Sequence, residues 1–128
     1  MAEKKGTLTQ NGVHLEDHEY ETVKTFLENG HDVELIPPSQ IKDVHTPDVL
    51  IDGVPWEMKS PTGNGKNTIQ NIMHKASRQS GNVIIDLRRC ERDKERAENE
   101  ILNALNDSKK IRKVKIVTSD GEILDISK

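Results

Sequence analysis

The chain has 128 residues, enough for one domain and too few for two ordinary ones. Its formal net charge of −3 means that any grip on a polyanion must come from a local patch, and its single cysteine, Cys90, excludes a disulfide framework and a thiol-rich zinc site. Hydrophobic and charged residues each make up 32% of the chain, and Tyr20, Phe26 and Trp56 are its only aromatics, so a core has to be built from Ile, Leu and Val.

The opening stretch, MAEKKGTLTQNG, is polar and does not resemble a signal peptide. Residues 1–12 are expected to be a flexible segment before one domain over 13–128. No apolar run approaches the length of a membrane span. A protein with this sequence that acts outside the cell making it must be carried there by another polypeptide.

Residues 16–29 predict a helix, with Val23, Phe26 and Leu27 on one face and Gly30 as its stop. Glu16, Glu19 and Tyr20 fall on the same stripe. DVELIP then predicts a strand ended by Pro37 and Pro38, followed by a polar loop over 38–47. DVLI and VPWEMK predict two strands joined by Asp52-Gly53, a strong two-residue hairpin signal. SPTGNGKN is a glycine-bearing loop, and residues 67–79 predict a helix with Ile69, Ile72, Met73 and Ala76 inward. NVIIDL is the apolar run of a buried central strand. Residues 92–107 predict a helix through Ala97, Ile101, Leu102 and Leu105, and KVKIVT with EILDI closes the chain as a hairpin. The order is that of a single α/β domain, a mixed central β-sheet with flanking helices.

The first hairpin poses the chemical question. With Asp52-Gly53 as the turn, Ile51 pairs with Val54, Leu50 with Pro55, Val49 with Trp56 and Asp48 with Glu57. Val49, Ile51, Val54, Trp56 and Met58 then take the core face, while Asp48, Glu57 and Lys59 share the other. Opposed Cβ atoms in such a pair lie roughly 4.5–5.5 Å apart, so two carboxylates there repel. One acid can stay protonated, Lys59 can neutralise part of the charge, or a divalent cation of the Mg²⁺ or Mn²⁺ kind can sit between them. A salt bridge serving folding alone stays open as the alternative.

Pro47-Asp48 followed by Glu57-Met58-Lys59 resembles the PD-(D/E)xK nuclease superfamily, whose core has the same helix-strand-strand-strand-helix-strand order. The longer string TPDVLIDGVPWEMKSPTGNGKNTIQNIMHKASRQSGNVIIDLRR is similar to toxin domains at the C-terminus of contact-dependent growth inhibition proteins described as tRNA nucleases, and to related domains on phage or mobile-element proteins. The resemblance implies a metal-dependent ribonuclease that cleaves tRNA. Its metal (Mg or Mn, possibly Zn) would be held by Asp48, Glu57 and the Met58 carbonyl. Lys59 would orient the nucleophile or stabilise charge on the phosphate, and Glu19, with Glu16 as fallback, would supply a further acid from the first helix.

It also implies a cognate immunity protein and a monomeric domain within a larger delivered protein, acting in the cytoplasm of a target cell. Ser60, Lys66, Asn67, Gln70 and Arg88 are the candidate substrate contacts. Asn64, Lys75, Arg78 and Arg89 extend the local patch, Gln79 is a lesser candidate, and Asp86 is expected beside the core. His14 and His18 straddle a helix start and read as surface residues. His45 is kept only for its nearness to Asp48. Trp56 lies opposite the acids and reads as core. A DNA endonuclease of the same fold is the nearest rival, and a non-catalytic nucleic-acid- or protein-binding module is the rival from another class.

Overall fold

The computed structural model describes residues 5–128. Its elements are β1 (Leu8–Thr9), α1 (Asp17–Glu28), β2 (Val33–Leu35), β3 (Val49–Ile51), β4 (Val54–Lys59), α2 (Thr68–Ala76), β5 (Asn82–Asp86), α3 (Lys94–Asp107), β6 (Lys113–Val117) and β7 (Ile123–Ser127). The strands form one mixed sheet in sequence order. β1 and β2 are parallel, β2, β3 and β4 form an antiparallel meander, β4, β5 and β6 are parallel, and β7 returns antiparallel. Among the described residues, no helix is long and apolar enough to cross a membrane.

Every helix and strand read from the sequence from residue 13 onward forms where expected, within a few residues at its ends. The difference lies before it. Leu8–Thr9 adds to the sheet edge beside Val33 and Glu34, in the stretch expected to be a flexible segment; the first four residues of that stretch lie outside those described. Gly6 N–H bonds the Leu27 carbonyl and the Asn11 amide bonds the Leu35 carbonyl. Hydrogen bonds from the backbone and from the Asn11 side chain to α1 and β2 hold a segment whose own apolar content gave no signal.

Two apolar layers sandwich the sheet. α1 covers one face through Val23 and Phe26, packed on Val33, Leu35, Val49, Ile51, Trp56, Ile84 and Val117. α2 and α3 cover the other through Ile69, Met73, Ala76, Ala97, Ile101 and Leu105, over Val83, Ile85, Val114 and Ile116. Val83, Ile84 and Ile85 of β5 are wholly buried because both faces of that strand are covered, which is why it reads as a continuous apolar run. Each such aliphatic side chain contributes about 1.5–3 kcal/mol by leaving water, so the core does without tyrosine, and Tyr20 stands exposed.

Local chemistry sets the boundaries. His31 N–H reaches the Phe26 carbonyl and Gly30 N–H the Leu27 carbonyl, with Gly30 at φ 86° ending α1. Asp52 and Gly53 sit at φ 50° and 84°, the double left-handed turn that matches strand twist in a two-residue hairpin.

Candidate functional site

The hairpin forms in the expected register for three pairs, Ile51 with Val54, Leu50 with Pro55 and Val49 with Trp56. The fourth pair departs from it. Asp48 N–H donates to the carbonyl of Trp56, the residue already paired with Val49, so two residues of one strand face one of the other and the ladder ends in a bulge. On its other side the Asp48 carbonyl accepts from Ile36 N–H, which pins the backbone between β2 and β4. The Asp48 carboxylate then takes the place of the next backbone acceptor, receiving Met58 N–H at 2.9 Å. Pro47 cannot donate to the ladder, which suits a strand that stops pairing here.

Glu57 and Lys59 lie beside Val83 and Ile85 of β5, on the face covered by α2 and α3. Glu57 is 2% exposed, and its Oε2 sits 3.3 Å from Lys59 Nζ. Lys59 keeps about a quarter of its side chain in solvent, so the lysine links the buried acid to the surface. Burial pushes the Glu57 carboxyl up to about 8, and the negative charge of Asp48 adds to the rise against the opposing pull of Lys59. Near neutral pH the acid pair is therefore relieved in two of the three expected ways, by a proton on Glu57 and by the lysine.

The third way has a physical invitation. Glu57 Oε1 is buried and receives no hydrogen bond from a donor among the described residues, so once Glu57 gives up the proton it shares with Asp48 that oxygen has no partner unless a cation supplies one. The N–H and C=O of one strand residue point to the same side, so the Met58 carbonyl shares the Asp48 side with its N–H. Two carboxylates and a carbonyl are the hard oxygen donors of a Mg²⁺-type ion, which commonly takes one or two carboxylates and leaves the rest to water and phosphate. The set lacks the His and Cys ligands that favour zinc.

The raised acid carries a stability prediction. Between its ordinary value of 4.5 and its value of about 8, Glu57 holds a proton in the folded protein that the unfolded chain has released. Stability without divalent ions should therefore fall as pH rises across this window, by on the order of 4 kcal/mol from this group. Denaturant unfolding in EDTA should show Glu57→Gln closing most of the gap between pH 5 and pH 8. An equal gap in both proteins would show that Glu57 is not the buried acid responsible.

The first helix does not join this cluster. Glu16 accepts from the Glu19 backbone, and Glu19 Oε1 accepts Glu16 N–H at 2.9 Å, so the two acids expected as further ligands close a capping box at the start of α1. α1 packs on the opposite face of the sheet, and among the described residues no three His, Cys, Asp or Glu side chains converge as a metal-binding group. The Glu-x-x-Glu spacing before an apolar run was the signal for the cap.

Arg88, the expected substrate contact at the end of β5, is committed elsewhere. Its Nε and Nη2 bond both oxygens of Asp86, and Nη2 also reaches the Glu21 carbonyl of α1. Asp86 is 3% exposed and accepts the Thr22 hydroxyl at 2.6 Å, so this group ties α1 to the central strand. Ser60 lies just after Lys59, and its buried Oγ also lacks a partner among the described residues. Asn67 stands exposed at the N-cap of α2 with no side-chain cap bond. Lys66 and Gln70 line a groove between α2 and α3 of about 730 Å³. Sequence reasoning missed the other wall of that groove, where the Lys109-Lys110 pair follows α3; the two adjacent lysines at a helix end were its only mark.

With the geometry in hand, three comparisons bear on the chain. A family model described as the contact-dependent growth inhibition CdiA C-terminal domain matches residues 45–123, more than half of the chain and the whole of the hairpin. A solved structure, the CdiA-CT/CdiI toxin and immunity complex from Burkholderia pseudomallei, superposes with a TM-score of 0.70 at 18% identity, over 96% of this chain and 100% of that one. That likeness shows a shared fold. No curated protein sequence matches the chain.

Proposed function

The chain belongs to the CdiA C-terminal domain family of contact-dependent growth inhibition, and from that premise we propose that it is a toxin domain acting as a metal-dependent ribonuclease on tRNA. One observation carries the reading. A buried Glu57 oxygen that no donor among the described residues reaches lies in a cluster with the Asp48 carboxylate and a lysine that reaches solvent. The Pro47-Asp48 and Glu57-Met58-Lys59 motif and the helix-meander-helix-strand order support placing the domain with the PD-(D/E)xK nucleases.

Asp48, Glu57 and the Met58 carbonyl would hold the ion, which when bound polarises a phosphoryl oxygen and lowers the pKa of a water molecule. The protein's own groups do the rest. The bulge and the Met58 N–H fix the Asp48 carboxylate against rotation. Burial under α2 and α3 excludes bulk water from Glu57, which strengthens every charge interaction there. Lys59 Nζ is a compact cation, positioned by Glu57 and open to solvent, suited to a phosphate oxygen as negative charge grows on it. No histidine base is required.

The similar structure is a toxin held with its immunity protein, and a cognate immunity protein is part of this proposal. Delivery within a larger protein and action in the cytoplasm of a target cell follow from the family premise. The test is incubation with total tRNA and with plasmid DNA, in Mg²⁺ or Mn²⁺. Cleavage of tRNA, intact plasmid and full inhibition by EDTA are expected. Cleavage of plasmid alone would establish the DNA endonuclease instead, and a folded protein that leaves both untouched under every divalent ion would establish a non-catalytic module.

A further inference from the structure

We propose that the groove between α2 and α3 holds a single-stranded stretch of the RNA substrate, gripping phosphates at its ends and bases along its middle. The inference rests on the ribonuclease reading and adds to it a binding surface separate from the acid pair.

The groove is walled by α2 on one side and by the end of α3 with the following turn on the other, and its volume of about 730 Å³ suits one or two nucleotides rather than a duplex. Lys66 stands at one end, seven residues beyond Lys59, and Arg78, Lys109 and Lys110 stand toward the other. Among the described residues none of these four cations is in an ion pair, so their charge is open to a ligand. Of the two acids in the lining, Glu100 is neutralised by a bidentate bond to Arg92 at 2.6 and 2.9 Å, which leaves Asp107 alone against four positive charges. With four cations set against one unneutralised acid, the groove carries a local positive patch on an acidic protein.

The middle of the groove carries a different chemistry. Gln70, Asn71 and Asn103 present carboxamides, which both donate to and accept from base edges, and His74 presents a ring on which a base can stack. Cations toward both ends of the groove, with carboxamides and a ring between them, match an unpaired nucleotide strand. A protein partner would find little apolar surface, since Met73, Ala104 and Ile111 are the only hydrophobic side chains in the lining.

The test compares the wild-type chain with Lys109→Gln/Lys110→Gln and with a control, Lys24→Gln/Lys113→Gln. The control removes the same charge from exposed residues outside the groove, Lys24 on α1 and Lys113 on β6. Binding of a fluorescein-labelled eight-nucleotide RNA is followed by anisotropy in EDTA over a salt series, and KM and kcat are measured on total tRNA with Mg²⁺ or Mn²⁺. The groove variant should weaken binding and raise KM by about tenfold, lower the salt slope by about 1.4, and hold kcat within about twofold. The control should match wild type.

Equal effects in groove variant and control, or no effect in either, would overturn the groove while leaving a cleaving wild type and its acid site untouched. Loss of immunity-protein binding in the groove variant with RNA binding intact would also overturn it, and would make the groove a protein interface. A wild type that neither binds nor cleaves RNA would instead sink the ribonuclease reading itself. Thermal melts that coincide for all three proteins secure the comparison.

Discussion

Asp48→Ala and Lys59→Ala should each lower tRNA cleavage by on the order of a thousandfold while leaving the fold intact, the size expected when a charge-stabilising group leaves a preorganised site. Asp48 has two roles that the design of the test can separate. Its carboxylate accepts Met58 N–H, so alanine removes both the negative charge and the end of the ladder. Asp48→Asn keeps an oxygen for Met58 and removes only the charge, and the same loss of activity is expected from it. Lys59→Ala leaves Glu57 without its nearest cation, which raises the acid further and holds its proton more tightly. Single-turnover cleavage of total tRNA, with circular dichroism as the check on folding, measures all three. Wild-type rates in folded Asp48→Ala would remove the acid pair from the chemistry.

A large loss of stability at neutral pH should come from substituting a group outside the acid pair. Asp86→Ala is expected to cost about 3 kcal/mol, because it strips the half-buried Arg88 guanidinium of its counter-charge and leaves it only the Glu21 carbonyl, and takes one partner from the buried Thr22 hydroxyl. Burial pushes the Asp86 carboxyl up, but bonds from Arg88 and Thr22 outweigh it and hold the group below the ordinary carboxylate range. Its contribution is thus complete at neutral pH and is lost as pH falls through that depressed value. Urea unfolding at pH 7 measures the cost. The double substitution Asp86→Ala/Arg88→Leu should recover part of it, since no unpaired cation is then left behind. A single substitution costing under about 1 kcal/mol would show that the bridge does not fasten α1 to β5.

The contrast between these two acids shows how far the sequence could be followed. Periodicity alone located each helix and strand beyond residue 12, because two covered faces and a central β5 leave plain patterns of apolar residues. Turn chemistry at Asp52-Gly53 fixed the register that brings Glu57 and Lys59 onto one face. What that arithmetic could not supply was the bulge at Asp48, since a side chain replacing a backbone acceptor leaves no trace in residue spacing. The local bonds of Glu19 and Arg88 were invisible for a related reason. Each has a partner, Glu16 three residues before Glu19 and Asp86 two before Arg88, that satisfies it locally, and local satisfaction competes with any role at a distance. β1 escaped notice because a two-residue edge strand draws its stability from its neighbours rather than from its own residues.

Whether the hairpin acids take a divalent ion is measured directly by calorimetric titration of Mn²⁺ into the protein at pH 7, in buffers of different ionisation enthalpy. One ion should bind with release of about one proton, because Glu57 must surrender the proton it holds near neutral pH, and Asp48→Asn and Glu57→Gln should each abolish the signal. Binding that is absent in the wild type, or that persists unchanged in both variants, would contradict the assignment of these carboxylates as the ion's ligands.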